Sequence, residues 1–246
     1  METETMKTIL RITLLSAIVI ASPVHAGTLD TSILDLKVGM PFENARKWVN
    51  ERIPNAKTRM ADQAQGSDGK QFFTYLQLTT SGTTSKGIEK LKADNGFIGE
   101  TWTLYGGGPA TGTQAVGLAR SVRYDDGKGP DVEEMRKALV ARYGEPSKTE
   151  DGGEKLYWVS KNTALDQSSS TCAPDYRSLK YSPDCGTYIF ASIEAGRDRL
   201  VTELSISILD HDLAISTIAA ERAALQKAAN EKMESDRQNR AAVPKL

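Results

Sequence analysis

The chain has 246 residues, and its 31 lysines and arginines nearly balance its 32 aspartates and glutamates to give a formal charge of −1 at pH 7. This near-neutrality argues against a nucleic-acid or anionic-membrane partner, while the length suits one large domain or two small ones. The chain has two cysteines and, beyond residue 26, one histidine, His211. These are too few ligands for a typical zinc site, and neither a metal nor a cofactor is predicted.

An export signal is predicted over residues 1–26. A short basic segment precedes the apolar run 12–21, and residues 24–26 form a small-x-small cleavage site. That run is too short to cross a bilayer, which requires ~20 helical residues. The sequence therefore predicts a soluble periplasmic or secreted protein without stable membrane insertion, translated from Met1 or Met6.

Two amphipathic helices with matching apolar spacing are predicted after Pro41 and after Pro130. Residues 42–49 align with residues 132–139. The charged residues Glu43, Arg46, Lys47 and Arg52 recur as Glu133, Arg136, Lys137 and Arg142. One interpretation is an internal duplication, and the alternative is that any two amphipathic helices share such a pattern.

Short runs with strand character follow each helix. They are predicted at residues 71–79, 100–105 and 116–124 after the first helix, and at 155–159, 187–194 and 201–209 after the second. Apolar residues alternate with polar ones along the last run, as in an antiparallel sheet with one open face. The predicted units are a first helix-plus-sheet repeat (27–125), a second repeat (126–209) and a C-terminal segment (210–246).

A long C-terminal helix is predicted from Asp212 onward, because the apolar spacing becomes helical there. The apolar stripe is thin beyond Leu225, so the far end is expected to project into solvent, with residues 238–246 frayed. A dimeric coiled coil is an alternative, although Glu221, Arg222 and Lys232 interrupt its apolar seam.

The two cysteines, Cys172 and Cys185, both lie in the predicted exported part of the chain. An even pair in an oxidising compartment most simply forms one disulfide. The spacing is not Cys-x-x-Cys, so a thioredoxin-like redox role is not indicated.

His211 is the one candidate catalytic histidine, and it lies between Asp210 and Asp212. The position is where a strand ends and a helix begins, so helix capping by the aspartates is favoured over catalysis or metal binding.

Residues 106–113 resemble a phosphate-binding loop in glycine spacing, but Thr113 replaces the required lysine and a strand follows. A flexible hairpin loop is therefore predicted.

Three tyrosines are the candidate binding residues: Tyr105, Tyr157 and Tyr188. Each lies on a predicted strand with parity opposite to that of its aliphatic neighbours. If the aliphatic face packs against the helices, these tyrosines face outward as binding anchors. The alternative is that they pack on each other or under the loop between the cysteines.

Residues 36–45, LKVGMPFENA, resemble the Gly-Met opening of repeats in the beta-lactamase inhibitory protein fold and in related outer-membrane assembly lipoproteins. Residues 141–146, ARYGEP, resemble the helix ending of such modules. The resemblance implies an α+β protein of two tandem helix-plus-antiparallel-sheet repeats that binds proteins through its sheet. The chain departs from the pattern because it has no lipid-attachment cysteine and its second repeat has no Gly-Met pair.

These features together predict a non-catalytic binding module whose partner is another envelope or secreted protein. An inhibitor or immunity-type protein is the first hypothesis. An accessory factor for envelope assembly or stress is the second, and a hydrolase acting on an envelope substrate is the third. The failure of every catalytic motif argues against the hydrolase. The oligomeric state is left open.

Overall fold

A computed structural model describes residues 29–53, 56–80, 97–125, 127–161, 172–173 and 180–241. The predicted export signal lies outside the described residues, as do residues 242–246 of the C-terminal tail.

Within the described residues the chain forms ten strands and three helices. The helices are α1 (Phe42–Arg52), α2 (Val132–Tyr143) and α3 (His211–Ala241). The strands are β1 (Ser32–Ile33), β2 (Leu36–Lys37), β3 (Lys57–Gln65), β4 (Gln71–Thr79), β5 (Phe97–Gly106), β6 (Ala115–Tyr124), β7 (Lys148–Glu150), β8 (Lys155–Val159), β9 (Thr187–Ala195) and β10 (Val201–Asp210).

Eight of the strands form one antiparallel sheet in the order β3-β4-β5-β6-β10-β9-β8-β7, and β1 and β2 pair separately. The chain runs through α1 and the four strands β3 to β6, then through α2 and the four strands β7 to β10. The last strands of the two series, β6 and β10, are neighbours in the middle of the sheet, where Ser121 lies opposite Ser205. The protein is therefore α+β, as predicted.

The main hydrophobic core lies between one face of the sheet and helices α1 and α2. Alternate strand residues such as Trp102, Leu118 and Ile208 are fully buried there, because successive side chains of a strand point to opposite faces. Helix α1 adds Phe42, Ala45 and Val49 at helical spacing. This surface is the helix-covered face of the sheet.

Strands β3 and β7 are absent from the sequence prediction. Every residue of β3 except Ala64 is exposed, so the strand has neither an apolar alternation nor a buried run. It is identified only by its pairing with β4, in which Lys57 lies opposite Thr79. Strand β7 has 3 residues, too few to show a period.

Helix α3 lies against the other face of the sheet only with its first turns. Ala214, Thr217 and Glu221 are buried there, whereas residues 225–240 are all exposed. The projecting end agrees with the thin apolar stripe. The helix extends to Ala241, and the fraying expected for residues 238–246 stays a prediction. No helix in the described ranges combines the length and apolar character needed to span a membrane.

Candidate functional site

The three candidate tyrosines are buried, so of the two arrangements that the sequence leaves open, the outward-facing one is not found. Tyr105 and Tyr157 are each 5% exposed and Tyr188 is 2% exposed. They do lie on the sheet face opposite to the helix-covered face, as their parity predicts. That second face is covered at their positions by elements distant in sequence, which strand parity does not reveal.

Two different covers bury these tyrosines. Tyr105 packs edge-to-face on Tyr75, with ring centroids 5.6 Å apart, in a cluster that includes Ala214 of α3. Tyr157 and Tyr188 pack on each other, with centroids 6.4 Å apart, in a cluster with the two cysteines. Burial strongly raises the pKa of Tyr188 above its ordinary value. The packing of this second pair is the alternative that the sequence left open.

Cys172 and Cys185 form the predicted disulfide, with their Cα atoms 5.6 Å apart. His211 is fully buried beside this bridge. Its Nδ1 accepts a hydrogen bond from the Ser182 backbone N–H at 3.1 Å, which leaves Nε2 as the donor to the Cys172 carbonyl oxygen at 3.0 Å. Burial holds the pKa of His211 below its ordinary value. His211 is therefore neutral, and its two hydrogen bonds hold the backbone at Cys172 and Ser182 next to the disulfide.

The two aspartates beside His211 also have structural contacts. Asp210 Oδ1 accepts the backbone N–H of Leu213 at 2.9 Å, which is a helix N-cap bond. Asp212 pairs with Lys161 at 2.9 Å. These contacts agree with the prediction of capping rather than catalysis.

The glycine-rich residues 106–113 connect β5 to β6 and lie under α3. A Cβ atom added to Gly107 would stand 2.8 Å from Thr217 Oγ1, and one added to Gly108 would stand 2.8 Å from Glu221 Cγ. The glycines are therefore required by the close approach of the helix. Glu221 completes the contact, since its carboxylate accepts the backbone N–H groups of Ala110, at 2.9 Å, and of Ser67.

The part of the second face that α3 does not reach contains an open depression of about 750 Å³. We call it the polar trough. It is lined chiefly by Lys57, Arg59, Thr101, Ser121, Arg123 and Glu203. These residues come from strands β3, β5, β6 and β10, so the trough runs across the strands rather than along one of them.

The floor of the trough is a layer of hydrogen-bonded side chains. The hydroxyls of Thr79 and Thr101 lie 2.9 Å apart and share a hydrogen bond. Gln77 Nε2 donates to Thr103 Oγ1 at 3.3 Å. Ser121 Oγ donates to Glu203 Oε1 at 2.6 Å. Cross-strand pairs of this kind hold the floor in one arrangement, which makes it a preorganised polar surface.

The charged side chains of the trough differ in whether a described residue pairs with them. Glu203 accepts hydrogen bonds from Ser121 and from Arg123 Nε at 3.0 Å. Burial acts to raise the pKa of Glu203, but these hydrogen bonds outweigh it and the pKa lies below its ordinary value. Lys57 and Arg59, on the opposite side, form no ion pair within the part of the chain that the structure describes. The trough therefore carries a surplus of positive charge.

A second depression of about 290 Å³ adjoins the trough and shares Gln77, Thr101 and Ser121 with it. We call it the Phe190 pocket, after the half-buried ring in its lining. Its other lining residues include Tyr105, Ala119, Ala173 and Ser207. Among its described lining residues only Arg120 is charged, and its guanidinium pairs with the buried Glu100 at 2.7 Å. The other side chains are small, polar or apolar, so the open face passes from a basic end to a largely apolar end.

No described group of three or more histidine, cysteine, aspartate or glutamate side chains is placed to hold a metal ion. Sequence reasoning missed the trough, although Thr101, Thr103, Ser205 and Ser207 carried a signal. They alternate with apolar residues along β5 and β10, so one face of each strand is polar. Lys57 and Arg59 gave no such signal, because strand β3 has no apolar alternation from which it could be predicted.

Comparison with protein-family models, with curated proteins and with solved structures found no match. The function is therefore inferred from the geometry of the open face.

Proposed function

We propose that this chain is an exported, non-catalytic binding module of the inhibitor or immunity type, and that it holds another envelope or secreted protein in the polar trough. The observation that carries the proposal is the open, hydrogen-bonded depression of about 750 Å³ on a sheet whose other face is covered by α1 and α2. The resemblance of residues 36–45 to inhibitor-type modules supports the use of a sheet face for protein binding. The Cys172–Cys185 disulfide supports an oxidising compartment.

The chemistry of the trough favours binding over catalysis. Acid–base catalysis by a carboxylate pair, as in glycosidases, needs two groups whose environments separate their pKa values. Among the described lining residues of the trough there is one carboxylate, Glu203, and it already accepts hydrogen bonds from Ser121 and Arg123. His211 is engaged at both ring nitrogens in the disulfide region. Neither group is left free to move a proton for a substrate in the trough.

We also propose that the chain is a duplicated helix-plus-sheet unit, with the boundaries 27–125 and 126–209. The first residue of α1, Phe42, donates its backbone N–H to the Thr113 carbonyl at 2.8 Å. The first residue of α2, Val132, donates its N–H to the Arg199 carbonyl at 3.1 Å. Thr113 and Arg199 each lie just before the last strand of their half and have positive φ angles of 51° and 63°. Such matched, unfavourable backbone positions support a common origin of the halves.

Site-specific photo-crosslinking in living cells tests the binding proposal. A photoreactive residue at Thr101 is expected to crosslink the exported protein to a partner, because Thr101 lies in the floor of the trough. The matched control places the same residue at Lys137, which is exposed on α2 over the opposite face. Ser121→Arg should abolish the Thr101 crosslink by filling the trough. Equal crosslinking from both positions, or none from Thr101, would refute the proposed function.

A further inference from the structure

At the basic end of the polar trough, the described residues offer too few carboxylates to balance the cations. Its described lining residues include Lys57, Arg59 and Arg123, with Glu203 as the one carboxylate among them. Arg123 is paired with Glu203, whereas Lys57 and Arg59 have no ion-pair partner among the described residues. The chain as a whole has a formal charge of −1, so this surplus is local. A carboxylate brought by a ligand would reduce this surplus and accept charge-assisted hydrogen bonds.

The opposite end of the open face has a different chemistry. The lining of the Phe190 pocket includes the half-buried Phe190, Ala119 and the buried Tyr105. Apolar side chains that face a depression favour an apolar group of the ligand, because its burial removes apolar surface from water.

The distance between the two ends suits an extended chain. Lys57 is on β3 and Phe190 is on β9, which are separated by five interstrand spacings in the sheet order. At ~4.8 Å for each spacing, the two ends lie roughly 24 Å apart, the length of about seven extended residues. The hydroxyls and the amide of the intervening floor are suited to hydrogen-bond the backbone of such a chain.

We propose that the polar trough and the Phe190 pocket together bind an extended peptide segment of the partner protein, with an acidic residue at the Lys57–Arg59 end and an apolar residue at the Phe190 end. The inference rests on the proposed function and names the chemistry that the trough recognises. A small anion alone would occupy only the basic end.

The test is selection of a phage-displayed library of random nine-residue peptides on the purified, disulfide-bonded protein. Selected peptides should carry aspartate or glutamate near one end and an aromatic or aliphatic residue about seven positions away. Their affinity should fall with added salt. The double variant K57E/R59E should weaken a selected peptide by about tenfold or more, the effect of one lost charge-assisted hydrogen bond. The same library selected on K57E/R59E should yield basic peptides instead.

The matched control is K47E/K137E, which makes the same change of net charge on exposed residues of α1 and α2. It should leave the affinity within twofold. Lys57 and Arg59 are exposed on an edge strand, so K57E/R59E is expected to fold, and its circular dichroism and thermal midpoint verify this.

Selection of peptides without acidic residues, an unchanged affinity of K57E/R59E, or no selected peptide would overturn the inference. The crosslinking result from Thr101 separates this failure from failure of the proposed function. A partner crosslinked at Thr101 together with a failed peptide selection would refute only the acidic–apolar recognition. Selective binding of phosphate or of an oligonucleotide at the basic end would also refute it.

Discussion

Replacement of Glu221 by alanine is expected to lower the free energy of unfolding by about 3 kcal/mol. Glu221 is 8% exposed, and its carboxylate accepts two backbone N–H groups, from Ala110 and from Ser67. A hydrogen bond to a charged group contributes about 1.5–3 kcal/mol. We use the lower figure for each bond, because the turn that contains Ser67 is half-exposed and water can satisfy its N–H after the substitution.

Urea denaturation of the disulfide-bonded protein measures this loss. Glu231→Ala is the matched control, since Glu231 is exposed on the projecting part of the same helix and its contact with Lys227 is a weak surface pair at 3.9 Å. The control should change the free energy of unfolding by less than about 0.5 kcal/mol. Equal losses for the two variants would show that Glu221 does not fasten α3 to the glycine-rich connection.

Three further perturbations test the covers of the second sheet face. Cys172→Ser/Cys185→Ser should lower the urea-derived free energy of unfolding by about 3 kcal/mol; no change in the urea midpoint on reduction of the wild type would contradict this. Gly107→Ala should cost about 1–3 kcal/mol, because its Cβ would meet Thr217 Oγ1 at 2.8 Å, whereas Gly99→Ala, with nothing within 4 Å, should cost little. Below about pH 6.5, the free energy of unfolding should decrease as the pH falls, because the unfolded chain takes up a proton at His211 more readily than the folded protein does. His211→Gln should flatten this part of a pH series of urea titrations, and an unchanged slope would refute the assignment.

The sequence identified most elements of the sheet without any tertiary information. In β10, Leu204, Ile206 and Ile208 lie on the helix-covered face, while Ser205 and Ser207 lie on the other. This division follows from the period of two along any strand, which is a local property of the backbone. The cysteine pairing was equally accessible, because a chain with two cysteines has one intramolecular possibility.

The limits of that reasoning are clearest at Tyr105 and Lys57. Parity placed Tyr105 on the second face, but the first turns of α3 bury it, and that contact joins residues more than a hundred positions apart in the chain. Lys57 belongs to a strand with no apolar pattern, which exists because β4 offers it a hydrogen-bonding edge. Neither the cover nor the pairing leaves a periodic trace in the local sequence.

The α+β class, the direction of most strand side chains and the disulfide could be inferred from the amino-acid sequence by itself. The sequence also predicts an export signal. Tertiary structure alone decided which part of the second face is covered and which stays open. The physical reason is that side-chain alternation depends only on neighbouring residues, whereas burial depends on where α3 and the disulfide loop pack. Because that packing buries the three candidate tyrosines, the candidate site is instead the trough between Lys57 and Glu203.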